Sequence, residues 1–100
     1  MSLRITPTPL AADQIRRESR WWRRNRTKAP SLFRNELRRA FDLITEYPEA
    51  GPIAEEIALE GVRRVLMADT QHYIYYRPNL AENRIEVLAV WSARRGAAPL

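Results

Sequence analysis

Two arginine pairs, one histidine and one tyrosine are the residues of this chain whose types and spacing could do chemistry. Arg63–Arg64 and Arg94–Arg95 lie near the two ends of an apolar stretch, and His72 and Tyr73 lie between them. A guanidinium group recognises phosphates and carboxylates through a planar set of donors, but it does not deprotonate and rarely serves as a base. The arginines therefore favour recognition of an anion or a protein surface, while His72 and Tyr73 are the candidates for proton transfer.

His72 is the only histidine, and the chain has no cysteine. One histidine cannot make a metal site, and the carboxylates are scattered without the spacing of metal ligands. With only three glycines, the sequence also has no glycine-rich loop to cradle a phosphate. We therefore expect no metal ion and no cofactor. A lone histidine within a strand is more often structural than catalytic, so His72 is interpreted as a structural or strand-edge residue.

Three β-prone runs carry these residues. Val62–Met67, His72–Tyr76 and Ile85–Trp91 are rich in Val, Ile, Tyr and Trp, and short segments with Asp, Asn and Pro separate them. This pattern predicts three strands of an antiparallel meander, with a break from Pro78 to Asn83. The third run is apolar at nearly every position, which predicts a central strand that is covered on both faces.

Two amphipathic helices are predicted before these strands, over residues 10–26 and 30–47. A short strand at Leu3–Ile5 precedes them, and Thr8 is predicted to cap the first helix. Glu36 is assigned to the polar side of the second helix. The apolar face of that helix is predicted to consist of Phe33, Leu37, Ala40, Phe41 and Ile44.

This order of elements predicts an α+β fold with an N-terminal strand, a helical hairpin and a three-stranded antiparallel meander. The hairpin is expected to pack on one face of the sheet, because each amphipathic helix needs an apolar surface to lie on. Residues 1–100 have the length of a single domain. Within the connector over residues 49–60, Ile53, Ile57 and Leu59 are expected to anchor the loop on the core.

The charge is uneven along the chain. Residues 1–47 hold eleven basic and five acidic residues, whereas residues 48–100 hold six basic and seven acidic ones. All the basic residues except Lys28 are arginine, which suits phosphate or carboxylate recognition but also fits a GC-rich genome. The lack of cysteine, of a signal peptide at Met1–Ala11 and of a run long enough to span a bilayer predicts a cytoplasmic protein without membrane contact.

Several local segments form an ordered set along the chain: Leu43 to Tyr47–Pro48 with Gly51, Gly61–Val62–Arg63, Tyr73–Ile74–Tyr75–Tyr76, and Ile85 to Trp91–Ser92–Ala93–Arg94–Arg95–Gly96. Together these segments resemble the toxins of the ParE/RelE superfamily of bacterial type II toxin–antitoxin modules. The ParE branch is the more similar one. The resemblance implies the fold given above and a cognate antitoxin as partner. It also implies DNA gyrase as the target of a ParE-like protein, or the ribosome and its mRNA as the target of a RelE-like one.

RelE-like nucleases cleave RNA by attack of a 2′-hydroxyl on the adjacent phosphate, typically with lysines and arginines around the sheet and a tyrosine near the C-terminus. This chain has one lysine, Lys28, between the predicted helices, and its last tyrosine is Tyr76. The resemblance therefore implies a gyrase inhibitor that acts by binding. A ribosome-dependent endoribonuclease and a protein that only binds antitoxin are the alternatives. Catalytic groups of such a nuclease would come from Arg63, His72, Tyr73, Arg94 and Arg95.

One face of the predicted sheet is a candidate binding surface. Helices cover only one face, so the other apolar face implies a partner, either the antitoxin or the target. Arg94–Arg95 could bind an acidic segment of the antitoxin or the target, or could simply form a solvated chain end. Trp21 is expected to be partly exposed or covered by antitoxin, and nucleic-acid contact by the first helix is an open alternative. The predicted binding residues are Arg63, Arg64, Tyr73, Tyr75, Trp91, Arg94 and Arg95.

Overall fold

Two helices cover one face of a four-stranded sheet in the computed structural model of this chain. The structure describes residues 3–95, so Gly96 and the tail after it lie outside the described residues. A single 3₁₀ turn over Leu80–Glu82 joins the last two strands. The elements are β1 (Arg4–Pro7), α1 (Pro9–Asn25), α2 (Leu32–Glu46), β2 (Arg63–Met67), β3 (His72–Asn79) and β4 (Arg84–Ser92).

The sheet has the strand order β1-β4-β3-β2. β1 runs parallel to β4, with Ile5 opposite Ile85, and the other two pairs are antiparallel. The predicted α+β fold is confirmed, and so is the internal position of the most apolar strand, β4. Its side chains are buried on both faces, which explains why the sequence of this strand shows no polar alternation.

β3 is longer than predicted because it continues through Pro78 and Asn79. These two residues pair with Ile85 and Arg84 of β4, so the predicted break at Pro78 was wrong. The reason lies on the other side of the strand. β2 begins at Arg63 opposite Tyr76, so Pro78 has no β2 neighbour that would need its missing N–H.

The start of α1 is joined to the sheet by Thr8. Its hydroxyl oxygen accepts a hydrogen bond from the Ala11 N–H at 3.2 Å, as the predicted N-cap requires. Its own N–H donates to the Val87 carbonyl at 2.9 Å. The chain therefore turns directly from strand β1 into helix α1, which fixes where the helix lies over the sheet.

The buried side of α2 contains one residue that the helical pattern assigned to solvent. Phe33, Leu37, Ala40 and Ile44 are buried as predicted, but Glu36 is buried too, with 8% of its surface exposed. The assignment of Glu36 to the polar side was wrong, because the turn between β2 and β3 presents hydrogen-bond donors directly over this carboxylate. Those donors are the Asp69 N–H at 2.7 Å, the Thr70 N–H at 2.9 Å and the Thr70 hydroxyl at 2.7 Å.

The connector between α2 and β2 packs on the sheet face that the helices leave open. Ala54 and Ile57 are buried there against β3 and β4, whereas Ile53 and Leu59 are about half exposed. Ile57 thus anchors the loop as predicted, while the prediction for Ile53 and Leu59 was wrong. Both leave about half of their surface in solvent, and Ala54 lies in the buried cluster instead. Across residues 3–95, no helix is long and apolar enough to cross a bilayer.

The first turn of the connector is fixed by a buried tyrosine. The Tyr76 hydroxyl donates to the Pro48 carbonyl at 2.8 Å and accepts from the Gly51 N–H at 2.9 Å. Gly51 lies so close to β2 that a Cβ atom at this position would overlap the Arg64 carbonyl oxygen. The glycine is therefore required by a close approach of two backbones, which holds the connector against the edge of the sheet.

Candidate functional site

Aromatic and charged side chains meet on the open face of the sheet. The guanidinium carbon of Arg64 lies 4.3 Å from the ring centroid of Tyr73, and its Nη1 donates to Oε2 of Glu56 at 2.7 Å. The Tyr75 hydroxyl donates to the same carboxylate oxygen at 3.1 Å. We call Glu56, Arg64, Tyr73, Tyr75 and Trp91 the sheet-face cluster.

The pKa shifts of Glu56 and Tyr75 agree with the hydrogen bonds that these two side chains form. The pKa of the Glu56 carboxyl lies below its ordinary value, first because of a hydrogen bond with its own backbone N–H, and further because of Tyr75 and Arg64. Burial raises the pKa of the Tyr75 hydroxyl, which keeps it a neutral donor. Glu56 is therefore a carboxylate that pairs with Arg64 within the chain. An acidic residue of a partner protein could form the same kind of pair.

Trp91 extends the cluster toward the end of the sheet. It lies opposite Tyr73 in the pairing of β3 and β4, and the Arg95 guanidinium carbon lies 4.5 Å from its ring centroid. Arg94 is exposed, and its N–H donates to the Ser92 hydroxyl oxygen at 3.3 Å. The terminal arginine pair is thus attached to the sheet by aromatic contact on one side and a turn hydrogen bond on the other.

Arg63 lies apart from this cluster. Alternation along β2 puts its side chain on the opposite face from Arg64, where its Nη1 donates to the Gly51 carbonyl at 2.8 Å. This bond ties the connector to the sheet, next to the Tyr76 hydroxyl. Of the predicted binding residues, the structure brings Arg64, Tyr73, Tyr75, Trp91 and Arg95 together and gives Arg63 a structural contact.

His72 is buried under the helices, with 5% of its side chain exposed. Its Nδ1 lies 3.2 Å from the Thr70 hydroxyl, its Nε2 lies 3.1 Å from Oε2 of Glu18, and its ring packs edge-on against Phe33. The Nε2 contact has ion-pair length but is not a well-aligned hydrogen bond. Both ring nitrogens face groups of the protein itself, which agrees with the structural interpretation of His72. The strand-edge alternative was wrong, because β3 is an internal strand.

The contact with His72 changes the acidity of Glu18. The pKa of this carboxyl is lowered, most strongly by its interaction with the His72 ring and also by the nearby Arg95, while partial burial acts in the opposite direction. Glu18 therefore joins α1 to β3 as a carboxylate.

The residues that a nuclease would need do not converge. His72 faces the helices, whereas Tyr73 lies on the other face of the same strand with Arg64. A general base must lie within hydrogen-bond distance of the proton that it removes, near the groups that bind the phosphate. The five candidate catalytic residues therefore do not form one set. Arg63 and Tyr73 lie on opposite faces of the sheet. His72, Arg94 and Arg95 line one cleft at its end, but both ring nitrogens of His72 contact groups of the protein itself.

Two concave surfaces were missed by the sequence analysis. The first, the helix groove, is a cavity of about 730 Å³ between α1 and α2. Arginines from both helices surround an apolar floor, so the helical spacing of arginine on each helix was the signal that could have revealed it. The floor residues are Ile5, Ile15, Leu37 and Phe41, and the arginines are Arg16, Arg20, Arg23, Arg34 and Arg38.

The second concave surface, the sheet-end cleft, has a volume of about 590 Å³. It lies where the β2–β3 turn and the residues around the end of β4 meet the C-terminal half of α1. No group of three His, Asp or Glu side chains suited to a metal ion occurs among the described residues, here or elsewhere. The cleft is lined by Arg17, Glu18, Trp21, Trp22, Arg26, Asp69, Thr70, His72, Ser92, Arg94 and Arg95.

Comparison with known proteins identifies the family. The model of the ParE toxin of the type II toxin–antitoxin system parDE matches residues 5–96. The chain belongs to the ParE toxin family. A search of curated protein sequences found no match. Among solved structures, the fold is similar to that of the chromosomal ParDE toxin–antitoxin system from P. aeruginosa, with a TM-score of 0.70 and 13% sequence identity. That alignment covers 92% of this chain and 97% of the other chain.

Membership of this family confirms the resemblance that the sequence motifs implied, including the choice of the ParE branch. The protein is the toxin component of a type II toxin–antitoxin system of ParE type. Such a system pairs its toxin with a cognate antitoxin, so an antitoxin is the expected protein partner. The match extends over both helices and all four strands, which means that the sheet-face cluster lies within the family domain and not in an added segment.

Proposed function

We propose that this ParE-type toxin inhibits DNA gyrase by binding to it, without covalent chemistry of its own. Family membership supports gyrase as the target. The observation that carries the non-enzymatic mode is the position of His72, whose two ring nitrogens contact Thr70 and Glu18 on the face opposite Tyr73 and Arg64. A gyrase inhibitor acts where gyrase and DNA are, so the proposal places the whole chain, as one toxin domain, in the cytoplasm.

The proposed contact surface is the accessible part of the sheet-face cluster, Arg64, Tyr73 and Trp91, together with Arg94 and Arg95. The predicted binding residue Tyr75 is 3% exposed, because the connector covers it, so it supports this surface from below. Tyrosine, tryptophan and arginine are the residue types that dominate the energetics of protein interfaces. Here they lie on one face of a rigid sheet, and the side chain of Arg64 keeps 36% of its surface exposed although it is paired with Glu56. A partner that offers a carboxylate can replace Glu56 at Arg64, so antitoxin and gyrase would compete for the same residues.

Supercoiling by purified gyrase tests this proposal. We expect the purified toxin to abolish supercoiling of relaxed plasmid, and prior mixing with its antitoxin to restore it. Unaffected gyrase at a stoichiometric excess of toxin would contradict the proposal. Primer extension on mRNA from induced cells tests the ribonuclease alternative, because a RelE-like enzyme leaves cuts at fixed codon positions and a binding inhibitor leaves none.

Charge reversal at the chain end tests the arginine pair. We expect Arg94→Glu/Arg95→Glu to weaken binding of gyrase or antitoxin more than it lowers the melting temperature, because both residues lie at the surface. Arg24→Glu/Lys28→Glu is a matched control, since these exposed cations form no ion pair within residues 3–95. A chain-end variant that melts far lower and still binds would show that the pair is structural.

A further inference from the structure

The sheet-end cleft is a polar concave surface that shares only Arg94 and Arg95 with the proposed gyrase contact. Its volume of about 590 Å³ lies in the range of sites for small ligands. Its lining includes Arg17, Glu18 and Trp21 from α1, and Arg94 and Arg95 from the segment that follows β4. The contact between the buried His72 and the partly exposed Glu18 also borders the cleft.

Positive charge dominates the lining. Four arginines face the cleft against two carboxylates, Glu18 and Asp69. Glu18 contacts His72, and Asp69 lies 3.8 Å from Arg39, so both carboxylates have partners already. Arg26 and Arg94 form no ion pair within residues 3–95. The cleft therefore holds cations that its own carboxylates do not neutralise, which suits an anionic ligand.

Aromatic surface lies beside these cations. Trp21 is 45% exposed, an unusual state for the largest apolar side chain, and the Arg26 guanidinium carbon lies 5.0 Å from its ring centroid. Trp22 is held in place by the hydrogen bond from its indole N–H to the Ala29 carbonyl at 2.9 Å. Indole rings and guanidinium planes are the groups on which proteins stack nucleobases, and arginines are the usual ligands of the attached phosphates.

We propose that the sheet-end cleft binds a nucleotide, with the phosphate at Arg94 and Arg95 and the base against Trp21. An acidic peptide would also satisfy the arginines, but it would leave the exposed indole without a matching group. The ligand chemistry is a phosphate ester that carries a nucleobase, and it can come from a free nucleotide or from single-stranded nucleic acid. The inference does not depend on gyrase, because it uses only the toxin's own residues.

Fluorescence anisotropy of the toxin alone tests this inference. The probe is a labelled oligothymidylate of about eight nucleotides, within the site sizes of single-strand binders, at one fixed salt concentration. We expect saturable binding by the wild-type chain. Loss of one base–aromatic stack weakens binding by about fivefold or more, which is the expected result for Trp21→Ala. Arg94→Glu/Arg95→Glu is expected to lose at least as much.

The matched control is Arg24→Glu/Lys28→Glu, which changes the net charge equally and lines neither concave surface. It is expected to weaken binding much less than the chain-end variant does. Equal losses in both double variants would show general attraction of nucleic acid to a basic protein and would overturn the proposal. Unchanged binding by Trp21→Ala would overturn it too, as would absence of binding by the wild-type chain. Circular dichroism confirms that each variant is folded.

Competition separates the sources of the ligand. If thymidine monophosphate displaces the probe, a free nucleotide is a sufficient ligand, and if only unlabelled oligothymidylate does, the ligand is single-stranded nucleic acid. Either result supports a nucleotide site. Displacement by inorganic phosphate as efficient as by thymidine monophosphate would exclude a contribution of the base and overturn the proposal. Gyrase and antitoxin are absent from this assay, so its failure leaves the supercoiling test unaffected.

Discussion

Replacement of Glu36 by alanine tests how the sheet-end cleft is built. Glu36 belongs to α2, but its carboxylate accepts three hydrogen bonds from Asp69 and Thr70 in the turn between β2 and β3. Thr70 in turn contacts Nδ1 of His72, and His72 contacts Glu18 of α1. A single buried carboxylate therefore links both helices to the end of the sheet through a continuous polar chain.

The loss of stability expected for Glu36→Ala follows from the hydrogen-bond donors that would lose their acceptor. Thr70 is buried, with 7% of its surface exposed, so its N–H and its hydroxyl would both lose a charged acceptor. Each unsatisfied buried group costs about 1–3 kcal/mol, whereas the Asp69 N–H can turn to water. We expect Glu36→Ala to lower the free energy of unfolding by about 3 kcal/mol, mostly through Thr70.

Urea unfolding followed by circular dichroism measures this loss, and thermal melting provides a second reading. A loss of about 3 kcal/mol corresponds to a fall of about 12–24 °C in the melting temperature of a domain of this size. Glu46→Ala is the control, because Glu46 is an exposed acidic residue at the end of the same helix. A Glu36→Ala variant as stable as the control would refute the polar chain as a structural element.

Three further changes have outcomes that the structure determines. Gly51→Ala is expected to destabilise the chain by about 3 kcal/mol or more in urea unfolding, because the new Cβ overlaps the Arg64 carbonyl oxygen. A loss of stability smaller than that caused by a substitution at an exposed position would contradict this close approach. Tyr76→Phe leaves the buried Gly51 N–H without an acceptor and should cost about 1–3 kcal/mol by the same measurement; unchanged stability would show that water replaces the hydroxyl. Because its pKa in the folded chain is lowered, Glu18 contributes stability that is present above its ordinary value of 4.5 and is lost as the pH falls through the lower folded value. Glu18→Gln lacks this titration. The urea midpoints of the variant and the wild type, measured from pH values above 4.5 to values below the folded pKa, should therefore converge at low pH. A difference between the two midpoints that grows as the pH falls would disprove the role of the His72 contact.

The order and type of the elements could be predicted because they depend on local pattern. The apolar spacing of Phe33, Leu37 and Ile44 marks one side of a helix, and Thr8 before Pro9 marks where another begins. The uninterrupted apolar run of β4 predicts its internal position in the same way. Such signals need no knowledge of distant residues. Most of the predicted helix and strand boundaries lie within two residues of the observed ones.

The misses share a different cause, since each depends on a neighbour that is remote in sequence. Glu36 is buried because a turn about thirty residues later supplies its donors, and helical periodicity contains no information about that turn. Pro78 is tolerated because β2 begins only at Arg63, opposite Tyr76, and leaves Pro78 without a neighbour on that side. The same limit applies to the site. The pairing of Arg64 with Glu56, and the cleft between Trp21 and Arg94, exist only once the connector and α1 are placed on the sheet.

Direct binding of the purified toxin to purified gyrase, measured by calorimetric titration, tests the central claim that the sheet-face cluster contacts this target. We expect saturable binding by the wild-type chain. Arg64→Ala and Tyr73→Ala should each weaken it by about tenfold or more, as loss of an interface hot spot does, while Arg24→Ala should bind like the wild type. Absence of binding, or equal affinity of the wild type and both cluster variants, would contradict the proposed function.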